Sequence, residues 1–131
     1  MALGRAMRAE GVDYLVPSIG LLDSKFRAPK VELGYMVPFA QRLREEAGGP
    51  VMATGMILTP HQAEALVAED RADAVALGRA FLNDPRWGWH AAATLGATTA
   101  VPRQYSRATH ATWPGHAAMR FGTSSTAPVA E

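Results

Sequence analysis

The sequence predicts an α/β fold built on parallel strands, and the chain pattern carries that expectation. Short apolar runs begin near residues 14, 51 and 72, and each is closed by a glycine, Gly20, Gly55 or Gly78. A helical pattern follows each run, so strand and helix alternate along the chain as right-handed parallel crossovers require. The length, 131 residues, suits one domain, and a hydrophobic content of 48% supplies material for a core.

The elements follow in order. The opening segment "MALGRAMRAEG" reads as an amphipathic helix carrying Leu3, Ala6 and Met7 on its apolar side and closed by Gly11. Tyr14 to Ile19 is uninterrupted in its apolar character, which predicts a buried strand rather than an alternating, half-solvated one. A loop from Leu21 to about Tyr35 holds Lys25, Arg27 and Lys30, a small basic cluster expected to be solvated. Pro38 then lies in the first turn of a helix whose apolar positions Met36, Phe39, Ala40, Leu43 and Ala47 recur at 3, 4, 7 and 11 residues, with Gly48 and Gly49 as its stop.

The second strand is expected over Val51 to Thr54, before Gly55. Thr59 and Pro60 open the next helix, with Gln62 spaced for a capping box and Ala63, Leu66 and Val67 as its buried stripe. Ala72 to Leu77 is the third strand; after Gly78 a turn of helix begins at Arg79, and Asp84 and Pro85 read as the cap and first position of a last helix with Trp87, Ala91 and Leu95 on its apolar side. Trp89, two residues from Trp87, falls on another side of that helix, where it suits a subunit contact. From Ala108 to Glu131 the chain is mainly Ala, Thr, Ser, Gly, Pro and His without a usable period, and reads as a loosely held tail. Strands this apolar need neighbours at both edges, so the pattern calls for partners beyond the three.

Composition narrows the function. The net charge of +1, from 13 basic and 12 acidic residues, offers nothing to draw nucleic acid or an anionic membrane. Without cysteine there are no disulfides, thiolate metal sites or thiol nucleophiles. No apolar run approaches the ~20 residues that span a bilayer, and the start lacks the apolar stretch of a signal peptide, so a cytoplasmic protein is expected. His61, His90, His110 and His116 read as packing or solvated residues; His110 and His116 bracket "ATWPG", but two histidines without a third ligand make no metal site.

The chemistry lies at the strand ends. Parallel strands direct their carboxyl ends to one face, where loops bind ligands while the strands stay still. Gly55 and Gly78 both stand there. Glycine lets a backbone N–H approach a ligand oxygen without an intervening Cβ, a helix opening at Arg79 aims free N–H groups the same way, and the guanidinium adds charged donors. Such a cradle suits a phosphate. Taken singly, a glycine that turns the chain and an arginine in solvent are the ordinary readings; the pair at adjacent strand ends is what points to an anion.

The stretch "GYMVPFAQRLREEAGGPVMATGMILTPHQAEALVAEDRADAVALGRAFLNDPRWGWHAAATLG", followed by "PRQYSRA", resembles the C-terminal part of the Old Yellow Enzyme family, in its bacterial branch of FMN-dependent ene-reductases and xenobiotic reductases. The resemblance covers about residues 3 to 107. It implies that residues 1–107 are the sixth to eighth strand–helix units of an FMN-binding (β/α)8 TIM barrel, with 108–131 as tail. It implies that Gly55 and Met56, with Gly78 and Arg79, bind the FMN phosphate. It implies that Arg107, in Tyr105-Ser106-Arg107, matches a Y-x-R motif whose arginine enters the active site of a neighbouring subunit, and hence a homo-oligomer.

The expected activity is that of an NAD(P)H oxidoreductase reducing activated alkenes, with an enone or a xenobiotic as substrate. A barrel of this kind takes on the order of 250 residues. By the resemblance, the histidine pair, the tyrosine proton donor and the walls of the flavin ring belong to strands not in this sequence, so the chain alone is expected to be inactive. A reading of another class stands beside it: a catalytically silent α/β phosphate-binding or oligomerising module.

Overall fold

Two short parallel strands and the helices around them form the body of residues 1–85. The computed structural model describes residues 2–19 and 30–118. In chain order these form α1 (Ala2–Ala9), α2 (Val37–Ala47), β1 (Met52–Ala53), α3 (Pro60–Ala68), β2 (Ala74–Val75), α4 (Arg79–Asn83) and α5 (Trp87–Thr94), followed by 3-10 turns at Arg103–Ala108 and Pro114–Ala118. The described residues from Arg86 to Ala118 belong to a second compact unit.

β1 and β2 pair in parallel, Met52 opposite Ala74 and Ala53 opposite Val75. The ladder continues outward as Asp73 N–H donates to Val51 O at 2.9 Å and Ala76 N–H to Ala53 O at 2.8 Å. On the other side of β1, Leu15 forms a parallel bridge with Val51: its N–H donates to Pro50 O at 3.1 Å and its carbonyl accepts from Met52 N–H at 2.9 Å. The parallel α/β class therefore stands, but the strand expected over Tyr14–Ile19 contributes a single bridge rather than a third ladder strand. Pro17 gives the reason. The next donor in a parallel ladder would come two residues after Leu15, and proline has no N–H.

Burial corrects the expectation of a strand covered on both sides. Leu15, Val51 and Ala53 are buried, whereas Tyr14 and Val16 are 53% and 42% exposed. Val51 and Ala53 are buried on one face, whereas on the other Met52 and Thr54 are half-buried and Tyr14 and Val16 exposed, although parallel sheets are ordinarily covered on both.

The helices bury narrower stripes than their spacing suggested. In α2 the buried residues are Val37 and Ala40, preceded by Met36, while Phe39 is 42% exposed. α3 buries Ala63 and Leu66 and leaves Val67 out. In α1, Leu3, Ala6 and Met7 are exposed, and the buried position is Gly4. A Cβ at Gly4 would come within 2.8 Å of Leu43 Cδ1 and 3.0 Å of Ala47 Cβ, so close helix contact, rather than an apolar stripe, seats α1 on α2. The last helix begins at Trp87, two residues later than Pro85, because Asp84 closes α4 with its N–H on Ala80 O and the first α5 bonds run to Arg86 O.

Two arginines tie the connections together. Arg8 donates to the carbonyls of Val12, Asp13, Gly48 and Pro50, joining the end of α1 to the approach to β1. Arg44 of α2 reaches Asp70 Oδ1 at 2.6 Å and Asp73 Oδ2 at 3.1 Å, and the same Asp73 oxygen accepts Val51 N–H at 2.8 Å. Of the basic loop cluster, Lys25 and Arg27 lie outside the described residues, and Lys30 is exposed, 4.0 Å from Glu32. Of the expected tail, residues 119–131 lie outside the described residues.

The Arg44 guanidinium, and then the Val51 N–H, hold the Asp73 carboxyl below the usual carboxylate range. A lowered folded pKa contributes stability that is present above the unfolded value and lost as pH falls through the folded one. Asp73→Asn keeps an acceptor for Val51 and removes the charge. Thermal melts should show the variant below the parent at neutral pH and the two curves converging between about pH 5 and pH 2. A constant gap across that range would disprove the coupling.

Candidate functional site

At the carboxyl end of β1 the chain turns through Gly55 and Met56, both left-handed, with φ of +96° and +51°. Glycine is demanded at 55 by conformation and by space, since a Cβ there would lie 2.8 Å from Met36 Cβ and Cγ. Met36 is 2% exposed, so it has nowhere to go. Met56 accepts the less comfortable left-handed geometry, which costs a non-glycine residue about 1 kcal/mol.

At the end of β2, Gly78 is different. Its φ is negative, at −87°, and a Cβ would meet nothing within 4 Å. Internal packing does not call for glycine at 78. What its absent side chain leaves is exposed space at the start of α4.

The two tips meet. Residues 54–58 and 76–80 line one open cleft of about 340 Å³, so Gly55, Met56, Gly78 and Arg79 come together. Arg79 is exposed and, among the described residues, makes no hydrogen bond or ion pair. Along the same walls, the backbone N–H groups of Gly55, Met56, Ile57, Gly78 and Arg79 donate to no acceptor among the described residues. Backbone donors are nearly always paired in native proteins. Several in one cleft beside an arginine suit an oxygen-rich anion, and the cleft's dimensions exceed a phosphate group's needs.

The first turn of α3 stabilises this loop. Thr59 Oγ1 accepts Gln62 N–H at 3.1 Å, as spacing predicted for a cap. The Gln62 side chain departs from a strict capping box, because its Oε1 accepts Leu58 N–H at 2.9 Å and its Nε2 donates to Met56 O at 3.3 Å. Sequence reading marks Gln62 as a helix cap only; its hold on residue 56 needs the turn geometry.

Arg107 is not among the residues lining this cleft. It lies on the 3-10 turn Arg103–Ala108 in the second unit, exposed and, among the described residues, without a hydrogen bond or ion pair. Tyr105 of the same motif packs edge-on against Trp89, with ring centroids 5.1 Å apart, and Arg86 lies over both rings. Tyr105 therefore secures the turn while Arg107, two residues on, projects to another side. Trp89, expected toward a subunit contact, is half-buried against Tyr105. The rings of His110 and His116 are 5.9 Å apart, and among the described residues no cluster of metal-ligating side chains reaches three. No helix among them is long and apolar enough to cross a membrane.

The two glycines give opposite expectations for stability. In urea denaturation Gly55→Ala should cost about 2 kcal/mol or more, from left-handed strain and the Met36 clash. Gly78→Ala should stay within about 0.5 kcal/mol. Equal losses would contradict this assignment of one glycine to the fold and the other to the cleft.

The chain is 42% identical over 102 residues to an NADPH dehydrogenase of Listeria innocua and 40% identical over 104 residues to one of Geobacillus thermodenitrificans, alignments that take in 78% and 79% of this chain. It spans about 30% of the length of these relatives. Residues 13–96, which contain both strands and the whole cleft, match the profile of the NADH:flavin oxidoreductase / NADH oxidase family, and the chain belongs to that family of oxidoreductases.

Proposed function

We propose that this chain is the phosphate-holding part of an FMN-dependent NAD(P)H oxidoreductase, comprising the sixth to eighth strand–helix units of a (β/α)8 barrel. The observation that carries the reading is the cleft in which Gly55, Met56, Gly78 and Arg79 line the walls with backbone donors that have no acceptor among the described residues, beside an exposed guanidinium. Support for a partial barrel comes from the strand order, Leu15 beside β1 beside β2, and from the uncovered face carrying Tyr14 and Val16. The remaining barrel strands would cover that face and provide the surroundings of the flavin ring.

The residues fit the phosphate end of the cofactor. Gly78 leaves room where a side chain would project, and Arg79 has no competing carboxylate among the described residues. FMN would supply the chemistry, hydride transfer from NAD(P)H to an activated alkene such as an enone. This chain's residues hold the phosphate and so fix where the ring stands. Arg107, presented on its own turn, would act in the active site of a neighbouring subunit of a homo-oligomer.

Flavin fluorescence titration tests the reading, with riboflavin as the phosphate-free comparison. The chain alone should bind FMN no tighter than about micromolar, because it grips one end of the molecule, and should bind riboflavin more weakly still. Arg79→Ala should reduce FMN affinity about fivefold. Gly78→Val should abolish the preference for FMN by blocking backbone approach. Equal affinity for the two flavins, or an unchanged preference in both variants, would remove the phosphate assignment; submicromolar FMN binding would refute the ring's lack of walls.

A further inference from the structure

Resting on the phosphate reading above, we infer that Gln62 is a positioning residue that turns the Ile57 N–H into the cleft, making Ile57 a further donor to the anion. The Met56 carbonyl accepts from Gln62 Nε2 at 3.3 Å and from Gly34 N–H at 3.4 Å, and neither donor residue is among those lining the cleft. The peptide joining Met56 and Ile57 is planar and trans, so its N–H points opposite to its C=O. Holding the carbonyl toward Gln62 and Gly34 therefore directs the Ile57 N–H the other way. That N–H has no acceptor among the described residues, although Ile57 is only 3% exposed and lines the cleft.

A second bond makes the arrangement specific to the glutamine side chain. Oε1 accepts Leu58 N–H at 2.9 Å, so one amide grips the loop on both sides of Ile57, the carbonyl before it and the N–H after it. Gln62 does not line the cleft. Its influence on an anion passes through the loop. The helix cap is separate, because it uses the Gln62 backbone N–H on Thr59. Removing the side-chain amide should release the loop and leave the helix start intact. Met56 at φ +51° is the residue that release would free, since left-handed geometry is held there against its own preference.

The test is an amide-resolved NMR titration of the chain with FMN, riboflavin and inorganic phosphate, on the parent and on Gln62→Met, which keeps side-chain length and helix propensity. In the parent, the Ile57, Gly78 and Arg79 amides should all shift with FMN and with phosphate, and not with riboflavin. The variant should retain the parent's melting temperature within a few degrees, lose about fivefold in FMN affinity and none in riboflavin affinity, and show no Ile57 shift. A merely structural glutamine would alter stability and leave the preference for FMN over riboflavin in place. If Gly78 and Arg79 respond while Ile57 does not, or if the folded variant matches the parent, the role of Gln62 is overturned and the phosphate reading survives. If no amide of the cleft responds to phosphate or FMN, the phosphate reading fails first. Should the variant not fold, the parent's Ile57 amide still decides.

Discussion

The parallel register of β1 on β2 is the constraint on which the candidate site depends. Met52 opposite Ala74 and Ala53 opposite Val75 means that both strands end at the same level and point the same way. An antiparallel pairing of the same residues would send Gly55 and Gly78 to opposite ends. Each tip offers a few N–H groups without an acceptor among the described residues, which alone are ordinary for a turn or a helix start. Converging on one cleft, they form the anion site proposed above, in which each added donor would address the same charge.

The two glycines in that site do different work. Gly55 is held by the fold, at φ +96° with Met36 pressed against it, and this packing is how α2 fixes the height of the β1 tip. Gly78 is held by nothing inside the unit. A glycine that internal packing does not explain, in a cleft with an exposed arginine, fits a ligand approaching from outside. Gln62 belongs with Gly55 rather than Gly78: it shapes the loop from behind, through an amide that reaches both flanks of Ile57.

The rest of the unit supports this geometry by tying connections rather than by a deep core. Arg8 gathers four carbonyls around the entry to β1, and Arg44 joins α2 to the turn before β2 through Asp70 and Asp73. These are partly exposed interactions, individually modest. Val51 shows why they sit where they do: fully buried, it pairs with Leu15 on one side and Asp73 on the other, so errors in either connection would shift β1. Across the sheet, Tyr14 and Val16 remain exposed, in keeping with strands whose second face is completed by other parts of a barrel.

Local chemistry alone determined the α/β class, the helix cap at Thr59 and the breaks at Gly55 and Gly78, because turn residues and periodicity act within a few positions of themselves. It did not determine which sides of the helices were covered. Phe39, Val67 and Leu3 are apolar and periodic yet exposed, while Gly4 is buried, since burial depends on the neighbour that arrives and not on the residue's own hydropathy. Nor could spacing show that Pro17 would stop the first ladder at Leu15, or that Gln62 would bond to Met56 and Leu58. Those outcomes need partners 20 or more residues away in one case and a left-handed turn in the other, and only the tertiary structure supplies either.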